Sequence, residues 1–432
     1  MSKPDNKTPG KVAYVGARLL DPASGLDQTG SVLTDGERIA DIGPDLFTGG
    51  VPDGIETIDC KGLCLAPGLV DARIQVTGQD FQTPGQAAVA GGVTTALCLP
   101  NTDPVIDDMA VVEYVARSAR KVGLAKVYAY GAVTKGLEGR ELAEMVMLSE
   151  AGAVAFTDGD RAVHDALTMH RALTYTSTFG LIIVQHPEEP SLAADGVMNM
   201  GETATRLGLA GVPPEAEVIQ VERDLQLLRM SGGRLHFAHV STAAAADAIR
   251  RAKKDGLAVT CDTAPPYFAL NETAIGDYRT FAKLSPPLRA EDDRAAIVEA
   301  LADGTIDLIA SDHAPRHEDA KRLPFAQAAF GGVGLETLLP VSLELYHNAK
   351  MGLLDVLGLL TTKPANIFGL PAGRLAAGEA ADMVLFDVDR GWKVDEDTLT
   401  SKAKNTPFDT RPVQGRVMRT VIDGRTVFQG GQ

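Results

Sequence analysis

Eight short apolar runs between residues 67 and 370 constrain the fold more than any other feature of this sequence. They read LVDARIQV, VTTALCLPN, KVYAYGAVT, AVAFTD, LIIVQH, LHFAHV, LAVTCD and DLIASDH. Segments between them, such as AVVEYVARSARKVG, EAEVIQVERDLQLLRM and TAAAADAIRRAKKDG, carry apolar residues every three to four positions, which is the helical period. Eight strands alternating with helices over about 300 residues predict an α/β fold, a (β/α)8 barrel of the TIM type.

The two ends of the chain have a different pattern. Residues 12–66 and the tail from Gly373 consist of short alternating stretches separated by Gly, Asp and Pro turns, which is typical of β-strands. The shared pattern predicts that both ends build one composite β-sandwich, residues 1–66 and 371–432, beside a barrel formed by residues 67–370.

Charge and hydrophobicity limit the partners that we expect. The formal net charge is −16, and an acidic protein is repelled by nucleic acid and by anionic membranes, so we expect neither as a partner. The sequence has no run of about 18 apolar residues and no N-terminal apolar segment of signal-peptide length. We therefore expect a cytoplasmic protein.

Four of the predicted strands end in a residue capable of chemistry: Asp158, His186, His239 and Asp312. Because the C-terminal ends of barrel strands meet on one face, we expect these side chains to converge. Each has a structural explanation when taken alone, since a histidine can simply satisfy hydrogen bonds and an aspartate before glycine can begin a turn. Their recurrence at strand ends favours a site for Zn2+ or a similar ion. Such an ion would polarise an amide and activate a water molecule, and a carboxylate would act as the general base.

Ten segments, in their order along the chain, resemble type I dihydroorotases of the amidohydrolase superfamily. They are PGLVDARIQV, LPNTDPV, GAVAFTDGD, QHPEEPSL, LGLAGVPPEAEV, HFAHVST, KLSPPLR, SDHAPRHEDAK, GGVGLET and KPANIFGL. The resemblance extends over nearly the whole chain, and LGLAGVPPEAE, HVST and SDHAP are its most specific parts. It implies a (β/α)8 barrel with a composite β-sandwich, and the reversible ring closure of carbamoyl aspartate to dihydroorotate in pyrimidine synthesis.

The resemblance also implies roles for individual residues. Asp158 would be the carboxylate that bridges two metal ions, and His186 and His239 would be ligands of one of them. Asp312 would be a ligand of the other ion and the general base. Asn101 would hold the substrate through its amide group.

The sequence departs from the family pattern at five positions. On the first strand the family has Asp-x-His-x-His followed by an arginine that binds the substrate carboxylate. Here Arg73 and Gln75 replace the two histidines, and Thr77 replaces that arginine. Ser285 stands where the family usually has a substrate-binding asparagine, and Arg316 stands where it has a substrate-facing histidine. We therefore name Asn101, Ser285 and Arg316 as the candidate substrate-binding residues.

Arg73 constrains the metal content most strongly. An arginine has a fixed positive charge and is not a metal ligand. At ~4 Å and an effective dielectric constant of ~20, its repulsion of a divalent ion would be about 8 kcal/mol. Our hypothesis is that Arg73 replaces a metal ion by pairing with Asp312, Asp158 or both; the alternative is that it turns outward. Asp158, His186 and His239 could still hold a single ion, so we expect at most one zinc ion, or none.

Three functions are compatible with this sequence. The favoured one is a dihydroorotase homologue that is catalytically impaired or inactive and acts as a structural partner of aspartate transcarbamoylase, because non-catalytic members of the family also lack the histidine pair. The second is an active zinc-dependent dihydroorotase with a mononuclear site. The third is another cyclic amidohydrolase, such as a hydantoinase. The family resemblance further implies a homodimer.

Overall fold

The structure is a computed structural model, and it describes residues 10–78 and 80–430. The chain begins with five strands that belong to the β-rich part of the molecule. They are β1 (Lys11–Asp21), β2 (Leu26–Asp35), β3 (Arg38–Gly43), β4 (Glu56–Asp59) and β5 (Cys64–Pro67). Strand β1 pairs antiparallel with β2 and parallel with both β4 and β5.

Within the described residues, eight parallel strands form the barrel, in the order in which they occur along the chain. They are β6 (Leu69–Ile74), β7 (Val93–Cys98), β8 (Lys126–Gly131), β9 (Ala155–Phe156), β10 (Ile182–Gln185), β13 (Arg234–Phe237), β14 (Val259–Thr263) and β15 (Leu308–Ile309). Two short strands, β11 (Met198–Asn199) and β12 (Gly211–Val212), form a separate sheet. An isolated parallel β-bridge pairs Ile74, at the end of the first barrel strand, with His313, just after the last one, so the barrel is nearly closed. Each predicted apolar run overlaps one barrel strand, which confirms the predicted barrel.

The helices connect these strands. They are α1 (Gln82–Ala90), α2 (Met109–Val122), α3 (Met145–Glu150), α4 (Ala166–Ser177), α5 (Pro190–Ala193), α6 (Glu202–Leu207), α7 (Glu215–Ser231), α8 (Ala243–Lys254), α9 (Pro265–Ala269), α10 (Glu291–Ala302), α11 (Glu318–Arg322), α12 (Leu338–His347), α13 (Leu353–Leu360) and α14 (Thr362–Phe368). The three helical segments named from the sequence correspond to α2, α7 and α8. Helix α2 is typical: the Asp108 side chain accepts a hydrogen bond from the Ala110 amide at its start, and Gly123 ends it in the left-handed conformation. In the described part of the chain, every helix is too short or too polar to cross a lipid bilayer.

The last strands, β16 (Met383–Lys393), β17 (Pro412–Ile422) and β18 (Arg425–Gln429), complete the β-rich part. They join the N-terminal strands in one sheet with the order β18-β17-β16-β5-β1-β2-β3, because β16 pairs antiparallel with β5. Both chain ends therefore contribute to one sheet. Residues 1–9 and 431–432 of the predicted sandwich lie outside the described residues, and the predicted domain boundaries stay a prediction.

The barrel and the β-rich part share their interior. One continuous hydrophobic cluster contains Leu69 of the barrel and Leu343 of α12 together with Phe386 and Val417 of the C-terminal strands. This shared core fixes the barrel against the outer sheet.

Candidate functional site

Three of the residues predicted at strand ends meet at the C-terminal end of the barrel. His186 follows β10 directly, and its Nδ1 lies 2.7 Å from Nε2 of His239, beyond β13. Nδ1 of His239 is 3.4 Å from Oδ1 of Asp312, beyond β15. Both imidazoles are buried and the Asp312 side chain is 16% exposed. The expected convergence of these three side chains is therefore present.

Two of these residues have an unusual backbone conformation. His239 and Asp312 have φ angles of 41° and 48°, a left-handed region that residues other than glycine seldom occupy. The buried Asp262 fixes His239, because its Oδ1 accepts a hydrogen bond of 2.6 Å from the His239 amide while its Oδ2 lies 2.9 Å from Nε2 of His236. The surrounding structure thus holds the strand ends in a conformation that aims their side chains at the barrel mouth.

Arg73 points into the barrel and is 2% exposed. Its Nε donates a hydrogen bond of 2.9 Å to Oδ1 of Asp312. Its Nη2 donates to Oδ1 of Asp160 at 2.8 Å and to the carbonyl of Gly159 at 3.2 Å. The inward orientation and the expected ion pair with Asp312 are present, but the second carboxylate partner is Asp160 and not Asp158.

Asp158 makes a different set of contacts. Its Oδ1 accepts hydrogen bonds from the amides of Val133 and Thr134 at 3.0 and 2.9 Å, and its Oδ2 accepts one from the Thr134 hydroxyl. Burial raises the pKa of this carboxyl, and the bonds from Thr134 act in the opposite direction. Among the described residues, no hydrogen bond or ion pair joins Asp158 to His186, His239 or Asp312, so its side chain supports the segment after β8.

Asp160 was missed by the sequence reasoning, although the Asp-Gly-Asp sequence offered two carboxylates at this strand end. Its Oδ2 accepts hydrogen bonds from Nε2 of Gln75 at 2.5 Å and from Nδ2 of Asn101 at 3.2 Å. Oε1 of Gln75 accepts in turn from Nη1 of Arg316 at 2.7 Å. The amide of Asn101 and one guanidinium nitrogen of Arg316, both predicted to bind substrate, thus bind protein groups in this structure.

The remaining predicted positions lie at the edge of this network. Ser285 has no side-chain hydrogen bond within the described part of the chain, and its neighbour Leu284 lines a small cleft that also borders Asp312. His317 follows Arg316 but has a side chain 79% exposed to solvent, and its Nδ1 accepts a hydrogen bond from the Asp319 amide at the start of α11. His317 therefore does not compensate for the histidine that Arg316 replaces.

The charges of the site are set by this arrangement. Burial alone would raise the pKa of Asp312, but the adjacent His239 and the Arg73 guanidinium outweigh it and hold that pKa well below its ordinary value. Burial lowers the pKa of the His239 imidazole, and the Arg73 charge lowers it further. Asp312 is consequently a fixed anion and a weak base.

The donor set does not fit the zinc ion that the resemblance implies. Two nitrogen ligands of tetrahedral zinc, each at about 2.0 Å from the metal, lie about 3.3 Å apart, whereas Nδ1 of His186 and Nε2 of His239 are 2.7 Å apart and share a hydrogen bond. Asp312 is bound to Arg73, and both oxygens of Asp158 accept hydrogen bonds from residues 133–134. Within residues 10–78 and 80–430, no group of three or more His, Cys, Asp or Glu side chains is placed to hold a metal ion.

The fold and the strand-end residues define the class of protein. A family model described as "Dihydro-orotase-like" matches residues 62–245, and one described as "Amidohydrolase family" matches residues 216–428. The barrel is thus that of an amidohydrolase.

Curated relatives narrow this class to a family. The chain is 46% identical over 427 residues to a dihydroorotase of Anaplasma phagocytophilum, an alignment that covers 97% of this chain and 95% of the relative. It is 44% identical to a dihydroorotase of Syntrophotalea carbinolica, covering 97% and 99% of the two chains. The chain belongs to the dihydroorotase family, and the predicted recognition is confirmed.

Solved structures agree with this fold. The L-hydantoinase (dihydropyrimidinase) of Arthrobacter aurescens superimposes with a TM-score of 0.84 at 25% identity, covering 98% of this chain and 96% of that one. The dihydropyrimidinase of Brevibacillus agri superimposes with a TM-score of 0.81 at 23% identity, covering the same shares.

Proposed function

We propose that this protein serves the dihydroorotase step of pyrimidine synthesis as a homologue with an impaired hydrolytic centre. Its membership of the dihydroorotase family supports the pathway. The proposed impairment rests on one observation: the Arg73 guanidinium binds Asp312, the carboxylate that would act as general base. A base whose pKa lies far below the working pH takes a proton poorly, and a base held by a buried guanidinium is not free to approach a water molecule.

The substrate side of the pocket supports the same proposal. Hydrolysis of a small cyclic amide requires the substrate to be held in a reactive orientation, which can lower the barrier by several kcal/mol. The Asn101 amide is hydrogen-bonded to Asp160, and Nη1 of Arg316 is hydrogen-bonded to Gln75. Substrate would have to break these contacts before it could use the same groups.

An active dihydroorotase is the second candidate, and the relatives favour it. Eight curated proteins named dihydroorotase are 42–46% identical to this chain over nearly its whole length. His186 and His239 also remain adjacent.

Turnover of dihydroorotate by the purified full-length chain distinguishes these candidates. The dihydroorotase of Anaplasma phagocytophilum is the positive control, and Asp312→Asn is the matched negative control. We expect the wild-type chain to show no more turnover than Asp312→Asn. Turnover at the rate of the relative, lost in Asp312→Asn, would establish the active enzyme, and hydantoin turnover without dihydroorotate turnover would identify another cyclic amidohydrolase.

We also propose that the protein binds aspartate transcarbamoylase, forms a homodimer and is cytoplasmic, as expected from the sequence. Co-expression with the aspartate transcarbamoylase of the same organism, followed by affinity purification and light scattering, tests the first two. We expect a complex that survives replacement of both His186 and His239 by alanine, since the partner would contact the surface and not the pocket. Two proteins that elute separately at micromolar concentration would refute the partnership.

A further inference from the structure

The space that the two missing histidines would occupy is filled by a charge network. Arg73 binds two carboxylates, Asp312 through Nε and Asp160 through Nη2, at 2.9 and 2.8 Å. The guanidinium is 2% exposed, so both ion pairs are shielded from water on the arginine side. The Asp312 carboxylate, which is 16% exposed, needs a cationic or hydrogen-bonding partner, and Arg73 supplies it while also binding the Asp160 carboxylate, which is 38% exposed.

A second arm of the network extends from Asp160 to the segment after β15. Asp160 accepts from Gln75, and Gln75 accepts from Arg316, whose Nε donates to the carbonyl of Phe330 at 2.6 Å. The backbone amide of Gln75 also donates a hydrogen bond of 2.8 Å to the carbonyl of His313. The network therefore connects the first strand, the strand-end loop that carries Asp160, and the segment after the last strand.

The charges of this network balance without a metal ion. The network contains two carboxylates, Asp160 and Asp312, and two guanidiniums: Arg73 binds both carboxylates, and Arg316 is joined to Asp160 through the neutral amide of Gln75. A divalent ion added to this set would be repelled by the buried Arg73 charge and would find Asp312 already paired.

We infer that the Arg73 guanidinium replaces a metal ion as the cation that holds the barrel mouth together, with Asp160 as its second anionic partner, so that this end of the barrel is built without metal. Arg73 and Asp160 are positioning residues in this assignment: they act on Asp312, Gln75 and Asn101. The inference rests on the proposed impairment of the hydrolytic centre, but its test measures metal content and folding and does not depend on turnover.

The first measurement is the zinc content and thermal unfolding of the wild-type chain purified from zinc-supplemented cells. We expect far less than one zinc ion per chain and the same unfolding midpoint with a chelator and with added zinc chloride. Stoichiometric zinc, together with a lower midpoint in chelator, would overturn the inference. If such zinc were found without dihydroorotate turnover, the inference would fail while the proposed function stood.

The second measurement uses Arg73→Ala, which removes the cation and leaves its two carboxylate partners around an open space. We expect its unfolding midpoint to fall by about 5 °C, because breaking a buried pair leaves an uncompensated charge. Zinc chloride should restore part of the loss, and restore nothing in wild type, since a divalent ion can then take the vacated position. A midpoint equal to that of wild type, or no recovery with zinc, would contradict the inference.

Arg18→Ala is the matched control. Arg18 also binds a carboxylate, that of Asp27, through Nε and Nη2 at 2.7 and 2.8 Å, but at the surface. We expect Arg18→Ala to unfold within about 1 °C of wild type, with no response to zinc. If Arg73→Ala fails to fold, Asp160→Asn, which keeps the shape of the side chain, carries the test: a midpoint unchanged from wild type would refute the role of Asp160 in the network.

Discussion

A single glycine separates the two carboxylates of the Asp-Gly-Asp sequence. Gly159 has a φ angle of 72°, a left-handed conformation that glycine adopts without strain. On one side of it, Asp158 turns to the amides of residues 133 and 134; on the other, Asp160 turns to Arg73. The residue that resembles the family's metal bridge therefore hydrogen-bonds to the segment after β8, and the aspartate two positions later joins the network.

This arrangement predicts the effect of Asp158→Ala. The change leaves two buried amides and one hydroxyl without their acceptor, so we expect the free energy of unfolding to fall by about 3 kcal/mol. Thr134→Val removes the hydroxyl contact with Asp158 and also the hydrogen bond of 2.8 Å that this hydroxyl accepts from the Gly139 amide, so it should cost about 2 kcal/mol. Denaturant unfolding of both variants checks this. A loss of only about 1 kcal/mol in Asp158→Ala, the contribution expected of the hydroxyl contact alone, would mean that the amide contacts contribute nothing.

Part of this site could be predicted from the sequence, because three of its residues are marked by the residues directly before them in the chain. His186, His239 and Asp312 were predicted because each ends an apolar run, and the barrel fold brings strand ends together. The role of Asp160 could not be read in the same way. It depends on the φ angle of Gly159 and on the inward rotamer of Arg73, both of which are settled by tertiary contacts and not by the residues next to them.

Among the elements, the barrel strands were the most predictable because each is a buried apolar run between polar turns. The conformation of the segment between β15 and Gly331 was not predicted, and Arg316 joins this segment to the network through Gln75. Three buried or half-buried cations hold it through backbone carbonyls: Lys283 binds those of residues 325 and 326, Lys321 binds those of residues 280 and 283, and Arg316 binds that of residue 330. Burial, reinforced by the charges of Arg316 and Lys283, lowers the pKa of Lys321 to about 7.

This lowered pKa predicts a pH-dependent stability. Between about pH 7 and the ordinary lysine pKa near 10.5, the unfolded chain holds a proton on Lys321 that the folded chain lacks. Unfolding therefore takes up a proton, and the Lys321 contribution to the free energy of unfolding increases with pH by up to about 1.4 kcal/mol per pH unit. Lys321→Met should remove this increase, whereas Lys11→Met, at an exposed ion pair, should preserve it. Denaturant unfolding at several pH values across this range checks the difference, and a wild-type slope in Lys321→Met would refute it.

At the scale of the whole molecule, the two chain ends and the barrel share one core. Lys126 of β8 binds Asp382 and Asp423 of the C-terminal part, both at 2.7 Å. Phe386 of β16 is fully buried in the same hydrophobic cluster as the barrel residues Leu69 and Val93. A core that extends across both parts couples their stability, so we expect them to unfold together.

Trp392 gives a direct test of this coupling, because it is the only tryptophan of the sequence and lies on β16 in the outer sheet. Its fluorescence reports on the β-rich part, whereas circular dichroism at 222 nm is dominated by the helices around the barrel. Phe386→Ala should lower the free energy of unfolding by about 3–5 kcal/mol, since it opens a cavity in the shared core. Both signals should shift to the same lower midpoint. Phe179→Ala, at a side chain that is 53% exposed and makes an edge-to-face contact with Tyr175, should lower the free energy of unfolding by no more than about 1 kcal/mol in both signals. If the fluorescence midpoint of Phe386→Ala fell while the helical signal stayed in place, the outer sheet and the barrel would be separate folding units, and the shared cluster would not couple them.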